Sequence, residues 1–268
     1  MRSNTISIAL VALLMLGLSG CGEQTLATTA TEETDPTVEA ASEEPADPDL
    51  PSNEDLEKYV KAIASEKVAT LQEAKPLVEE GSAAAGYLEY LTHSVNAQID
   101  GGVYVSDVAG KAKPIDGGFE VCYLGEEDCN EYTNFVGEEG KIVDFDVSDK
   151  PVSQRLVMGD NQIDETFGGA TVELVAAYMN AANSHLIISY NLQTGNEELD
   201  MPLSTYRSAD GRQSQSEMDY GMYTLAPDSK SSYVAYFPGA SPGGEVHLDF
   251  YSSVNFQEDT IIFEIAEN

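Results

Sequence analysis

Apolar residues recur along this chain in two rhythms, and the change from one to the other divides it. From residue 53 the rhythm is helical: Leu56, Tyr59, Val60 and Ile63 fall at i, i+3, i+4 and i+7, one apolar stripe. Ser52, with Asp55 three positions later, gives a capping-box-like start. Val68 and Leu71 continue the stripe until Pro76 and Gly81 break it. A second helix is expected from near Ser82, with Tyr87, Leu88, Leu91 and Val95 on its apolar face and Gly101-Gly102 at its end.

The rhythm then shortens to two. Val103 to Ser106 is a short apolar run. Phe119, Val121 and Tyr123 alternate with Glu120 and Cys122, Tyr132 to Val136 reads as a returning strand, and Gly137 to Gly140 as a turn. Val143, Phe145 and Val147 alternate with Asp144 and Asp146. Such alternation marks an antiparallel sheet with one wet face. Residues 53–158 are therefore expected to form an α+β domain, two helices laid on one face of an antiparallel sheet. The order of these elements resembles a small cone-shaped, nuclear-transport-factor-like domain.

Residues 159–268 carry strand signals almost throughout. Val172 to Tyr178 is apolar; Leu186, Ile188 and Tyr190 alternate, as do Val234 and Tyr236, then Val246, Leu248 and Phe250, then Ile261, Phe263 and Ile265. Turns are expected at Gly195-Asn196, Asp210-Gly211, Pro227-Asp228 and Pro242-Gly243-Gly244. Short strands at this spacing predict an all-β immunoglobulin-like sandwich, which needs roughly seven. Tyr236-Phe237-Pro238, preceded by Leu225-Ala226-Pro227-Asp228, resembles the late strands of telokin-like immunoglobulin modules on bacterial lipoproteins, although this chain has no Trp. That resemblance implies a fold and carries no catalytic residues.

The N-terminus follows neither rhythm. Arg2 precedes an apolar run from Ile6 to Leu18, then Ser19 and Gly20 lead into Cys21, the order of a secretory signal. The run is shorter than the roughly 20 residues that cross a bilayer. Leu18-Ser19-Gly20-Cys21 resembles the lipobox of bacterial lipoproteins. The resemblance implies that residues 1–20 are removed and that the Cys21 thiol carries a diacylglyceryl group, a membrane anchor of two acyl chains. Gly22 stands where such lipoproteins carry Asp for inner-membrane retention. The expected place is thus the outer membrane of a two-membrane cell, or the outer face of the plasma membrane of a one-membrane cell. Residues 22–52 hold nine acids and four prolines with no Lys, Arg or aromatic residue. Such a segment buries too little to offset chain entropy, so 21–52 is expected to be a disordered acidic tether. The whole order resembles surface lipoproteins of actinobacteria whose activity is uncharacterised.

Charge and chemistry narrow the function further. The formal net charge of −34 excludes nucleic acid as a partner, because polyanions are bound by releasing counterions to Lys and Arg. With Cys21 lipidated, Cys122 and Cys129 are an even pair in an oxidising compartment, expected as a disulfide stapling a short hairpin. A zinc site there would need two further ligands, and no His lies nearby in sequence. Gly239-Ala240-Ser241-Pro242-Gly243 matches a nucleophile elbow in letters only: Pro242 lacks the N–H an oxyanion hole needs, and strand rather than helix follows. His93, His185 and His247 stand in no pair spacing. Asp144, Asp146 and Asp149 offer carboxylate oxygens to a hard cation, without the glycine or final glutamate of a calcium loop. As a carboxylate pair for glycoside hydrolysis, Asp144 and Asp146 would lack any Trp to stack sugars. The expectation is no metal, no cofactor and no catalytic residue. Fourteen tyrosines serve either a core or an interface. The sequence thus predicts a non-enzymatic envelope protein, held to the membrane through Cys21, that binds a protein or cell-wall component. The alternative is a small-ligand carrier or sensor with an apolar pocket between the helices and sheet of 53–158. A third possibility is a catalytic site assembled from distant residues.

Overall fold

The Ser52 hydroxyl accepts the Asp55 backbone N–H at 3.2 Å and donates to Asp55 Oδ2 at 2.7 Å, starting α1 (Asn53–Ser65) where the capping pattern requires. The computed structural model describes residues 49–103, 110–123, 128–182, 184–252 and 257–267. The stripe expected to run on to Pro76 turns instead at Glu66, whose left-handed φ of 48° closes α1 with its N–H on the Ile63 carbonyl. A short α2 (Val68–Ala74) follows. Ser82 caps α3 (Ala83–Asp100), which ends at Gly101 as expected.

Four strands come next, β1 (Lys111–Ile115), β2 (Gly118–Tyr123), β3 (Asp128–Glu138) and β4 (Lys141–Val147), in an antiparallel meander of that order. No apolar alternation marks β1, which carries Lys111, Lys113 and Pro114, residues that blunt an edge against pairing with other chains. Residues 104–106 of the expected apolar run lie outside the described residues.

The rest is strand: β5 (Leu156–Met158), β6 (Ile163–Thr166), β7 (Ala170–Met179), β8 (His185–Gln193), β9 (Leu199–Asp200), β10 (Leu203–Arg207), β11 (Gln213–Gln215), β12 (Met218–Tyr220), β13 (Thr224–Leu225), β14 (Lys230–Pro238), β15 (Gly244–Tyr251) and β16 (Glu258–Ile265). A large sheet has the order β12-β14-β8-β7-β5, with β6 also on β7, and a smaller one the order β11-β10-β15-β16. These two antiparallel sheets face each other as a sandwich. Leu186, Ile188, Tyr190, Tyr233, Ala235 and Phe237 from the first meet Tyr206, Val246, Leu248, Phe250, Ile261 and Phe263 from the second in one core.

The large sheet is buried on its other face as well, which explains why β7 reads as a continuous apolar run rather than an alternating one. A bulge between Leu174 and Ala176 shifts the alternation, so Val172 and Leu174 enter the sandwich core while Ala176 and Tyr178 turn toward the helices. There α3 lies between two sheets. The Tyr87 ring is 5.5 Å from Phe145 of β4 and 5.3 Å from Tyr178 of β7. One core therefore joins α1, α3, the meander and the helix-side face of the large sheet, and Pro45–Asn268 forms one compact unit. Two details bear on the expected boundaries. Leu156–Met158 pairs with β7, so the large sheet begins before residue 159. At the N-terminal end, Pro51 is buried and the Asp49 carbonyl accepts the Gly140 N–H at 3.2 Å, so residues 49–52 pack on the meander rather than extending the tether.

Candidate functional site

Two places gather the groups a function could use. The first is polar. Register sets Glu173 of β7, Asn191 of β8 and Ser232 of β14 side by side on the helix-side face of the large sheet. Asn191 Nδ2 donates to Glu173 Oε2 at 2.9 Å, and Lys230 Nζ lies 3.7 Å from the same oxygen. The C-terminal half of α3 adds His93, with Nδ1 3.4 Å from Ser232 Oγ, and Asp100. Asp100 Oδ2 accepts from Ser231 Oγ at 2.8 Å and from the Ser232 N–H at 3.1 Å. Burial, then the Lys230 charge, holds the His93 imidazole below its ordinary range.

A serine, a histidine and carboxylates invite comparison with a nucleophilic triad. The roles do not fit. Asp100 binds serine groups, and Ser232 is buried in mid-strand at 9% exposure. A nucleophile must meet a substrate, and a hydroxyl in this position meets α3. The row is a clamp holding the helix on the sheet.

The second place is the outward face of β11-β10-β15-β16. Its inward residues fill the sandwich, yet outward it exposes Leu203 (67%), Tyr251 (48%) and Ile262 (46%). Leu203 lies directly opposite Asp249, two residues before Tyr251. Met201, Leu203 and Tyr251 line an open cleft of about 430 Å³. The Met201 N–H donates to the Tyr223 carbonyl at 2.8 Å, which sets Tyr223, at 73% the most exposed large hydrophobic among the described residues, beside it. Asp200, Asp249, Glu258 and Asp259 also line the cleft. Three of these are fixed by hydroxyl donors: Thr224 to Asp200 at 2.7 Å, Thr260 to Asp249 at 2.6 Å and Thr166 to Asp259 at 2.8 Å. Apolar side chains interleaved with fixed carboxylates suit a cationic, partly apolar partner.

Two further clefts differ in kind. The larger, about 750 Å³, is open and polar, with Arg207, Glu245 and Glu264 in its walls. The other, about 540 Å³, lies where α3 meets Lys141 and Met158. The interior a carrier would use, between the helices and the meander, is filled by Tyr59, Tyr87, Phe119, Val121, Tyr132 and Phe145, each at most 8% exposed.

The residues singled out from the sequence have separate fates. Cys122 and Cys129 are directly opposite on β2 and β3 and form a disulfide, the expected staple. Cys21 lies outside the described residues. Asp144 and Asp146 do share the outer side of β4, but each has a local partner. Asp144 accepts from the Ser153 N–H at 3.2 Å and the Ser153 hydroxyl at 2.5 Å, and Asp146 accepts from Asn134 Nδ2 at 2.7 Å. Asp149 sits in the turn beyond at φ 66°. Among the described residues the one cluster of potential ligand atoms within 4.8 Å of one another is Glu120, Cys122 and Cys129, so the three aspartates do not converge. His185 pairs with Ser184 and Glu217, and His247 with Glu245. Ser241 lies in an exposed turn whose carbonyl accepts the Tyr206 hydroxyl at 2.7 Å, and β15 follows it. Eight tyrosines (59, 87, 90, 132, 178, 190, 206 and 233) are buried.

Sequence reasoning missed the cleft, the clamp and the buried Arg155. No local signal marks them, because each is assembled by pairing between distant strands. No family model matches the chain, and no curated protein matches it.

Proposed function

We propose that the chain is an exported, lipid-anchored protein of the bacterial cell envelope that binds another protein or a cell-wall component without chemical turnover. The single observation that carries the binding reading is the Leu203–Tyr223–Tyr251 surface. Leu203 and Tyr251 stand exposed on one outward sheet face beside a cleft that fixed carboxylates also line, and the exposed Tyr223 is tied by its backbone to Met201 of that cleft. On this reading the helices and meander are an α+β unit, the two facing sheets are an immunoglobulin-like module, and the acidic segment before residue 49 gives the module reach. The lipobox-like Leu18-Ser19-Gly20-Cys21 supports the anchor. The carrier alternative has less support, since its pocket would occupy space that core aromatics fill.

Two measurements test this together. Mass spectrometry of the protein from its native cells should find an N-terminal peptide that begins at Cys21 and carries lipid, and Cys21→Ser should release the chain from membranes. An unmodified Cys21 refutes the anchor. Incubation of the purified protein with envelope glycans and peptides should show no turnover, and any catalytic hydrolysis refutes the non-enzymatic reading.

A further inference from the structure

The outer face of the meander sets a carboxylate beside the disulfide. Register puts Cys122 opposite Cys129 and, one step along the same face, Glu120 opposite Glu131. Ligand atoms of Glu120, Cys122 and Cys129 all lie within 4.8 Å of one another, and all three residues are partly exposed. Phe119 and Val121 point the other way, into the core. The block therefore sits on a rigid strand pair, open to solvent, with its backbone fixed by the core behind it.

We propose that this block is a redox-gated site for a thiophilic divalent cation of the Zn²⁺ type, closed when the disulfide forms and opened by a dithiol reductant. Reduction cleaves the S–S bond with two electrons and two protons, and the reductant's own dithiol becomes a disulfide. Metal binding then displaces both thiol protons to solvent. Two thiolates and one carboxylate make three ligands, and the fourth position falls to water or to Glu131, directly opposite Glu120. With Zn–S bonds of about 2.3 Å, thiolates on a tetrahedral ion stand roughly 3.8 Å apart. The bridged pair has its Cα atoms 4.0 Å apart, with Cβ atoms of such pairs about 3.5–4.5 Å apart, so turning χ1 after reduction brings the two sulfurs to that spacing. Strand β1 aids ionisation: Lys111 is opposite Cys122, and Lys113 is opposite Glu120 with its Nζ 3.9 Å from the carboxylate. Two soft donors select Zn²⁺, Co²⁺ or Cd²⁺ over Ca²⁺ and Mg²⁺, which prefer all-oxygen sites. This distinguishes the block from the many acids elsewhere on the surface. The inference does not rest on the proposed binding surface, which lies on another sheet.

The test uses the full chain with Cys21→Ser, so that the thiols are those of Cys122 and Cys129. The chain is reduced with a phosphine, freed of reductant and titrated anaerobically with Co²⁺, reading thiolate-to-metal charge-transfer absorption. The reduced chain should develop the band to saturation at one equivalent and lose it to Zn²⁺. The oxidised chain and the Cys122→Ser/Cys129→Ser double variant should show none. Glu120→Gln should weaken binding about tenfold or more. No band in a reduced chain that keeps its circular dichroism overturns the proposal, and an undiminished affinity in Glu120→Gln overturns the three-ligand site. If reduction unfolds the chain, circular dichroism during the titration reads metal-driven refolding, and its absence overturns the proposal equally.

Discussion

Arg155 is the largest of the fully buried side chains among the described residues, at 2% exposure, and its guanidinium donates to backbone carbonyls. Its Nη1 donates to the Asn180 carbonyl at 2.7 Å and the Met179 carbonyl at 3.3 Å, and Nη2 reaches the Ala181 carbonyl at 3.4 Å. It thus closes the end of β7 with a planar fork that a lysine cannot copy. Arg155→Ala should cost roughly 2–4 kcal/mol in urea denaturation, since hydrogen bonds to a charged donor are lost and buried carbonyls are left dry. Arg155→Lys should recover only a minor part. Asp219 shows the reverse economy. Burial raises its carboxyl above the ordinary range, against the lowering effect of Ser216, whose hydroxyl donates to it at 2.6 Å. In the unfolded chain the group ionises first as pH rises, so stability falls between the unfolded pKa and the raised folded one and stays lowered above it. Asp219→Asn should therefore melt at a higher temperature than the parent at pH 7 and at the same temperature near pH 3. An equal melting point at pH 7 would show that burial of this carboxylate costs nothing.

At the scale of elements, what could be read in advance followed how local the cause was. The caps at Ser52 and Ser82, the Gly101 stop and the alternating β2, β15 and β16 are short-range signals, and all stand where the sequence placed them; in β4, Phe145 and Val147 face the core as expected, but register shifts against β3 put Ile142 rather than Val143 beside them. β10 was missed because its alternation is inverted: Leu203 is outward and exposed, while Ser204 is inward at 1% exposure. The same inversion makes Leu203 part of the candidate surface, so the feature that hid the strand also hid the site. Glu173 was hidden in an apolar run because only strand pairing reveals that it faces Asn191 and Ser232. Two predictions belong here. Gly221 holds φ at 145°, and a Cβ there would run into the Tyr233 ring. Gly221→Ala should lose roughly 2–3 kcal/mol by chemical denaturation, through backbone strain and overpacking together. The disulfide spans a sequence separation of 7, a short loop, so Cys122→Ser/Cys129→Ser should cost only about 2–3 kcal/mol and leave the fold intact by circular dichroism.

Within the compact unit Pro45–Asn268, the described residues form a stack in which one sheet does double duty. The large sheet closes the sandwich on one face and seats α3 on the other, so the regions on either side of residue 158 cannot swing as independent beads. That rigidity matters for recognition, because side chains held on a fixed sheet lose little freedom when they bind. It also leaves the outward face of β11-β10-β15-β16 as a firm surface, with Leu203 and Tyr251 in a cleft that carboxylates also line and Tyr223 bonded through its carbonyl to Met201 of that cleft. The most direct test of its role is photo-crosslinking in the native cell. A photoreactive residue is placed at Tyr223 and, in a separate strain, at Lys113 on the far meander. The account predicts one dominant adduct, protein or wall glycan, from position 223, lost when Leu203→Asp is added, and only background from position 113. The same faint pattern from both positions would contradict it.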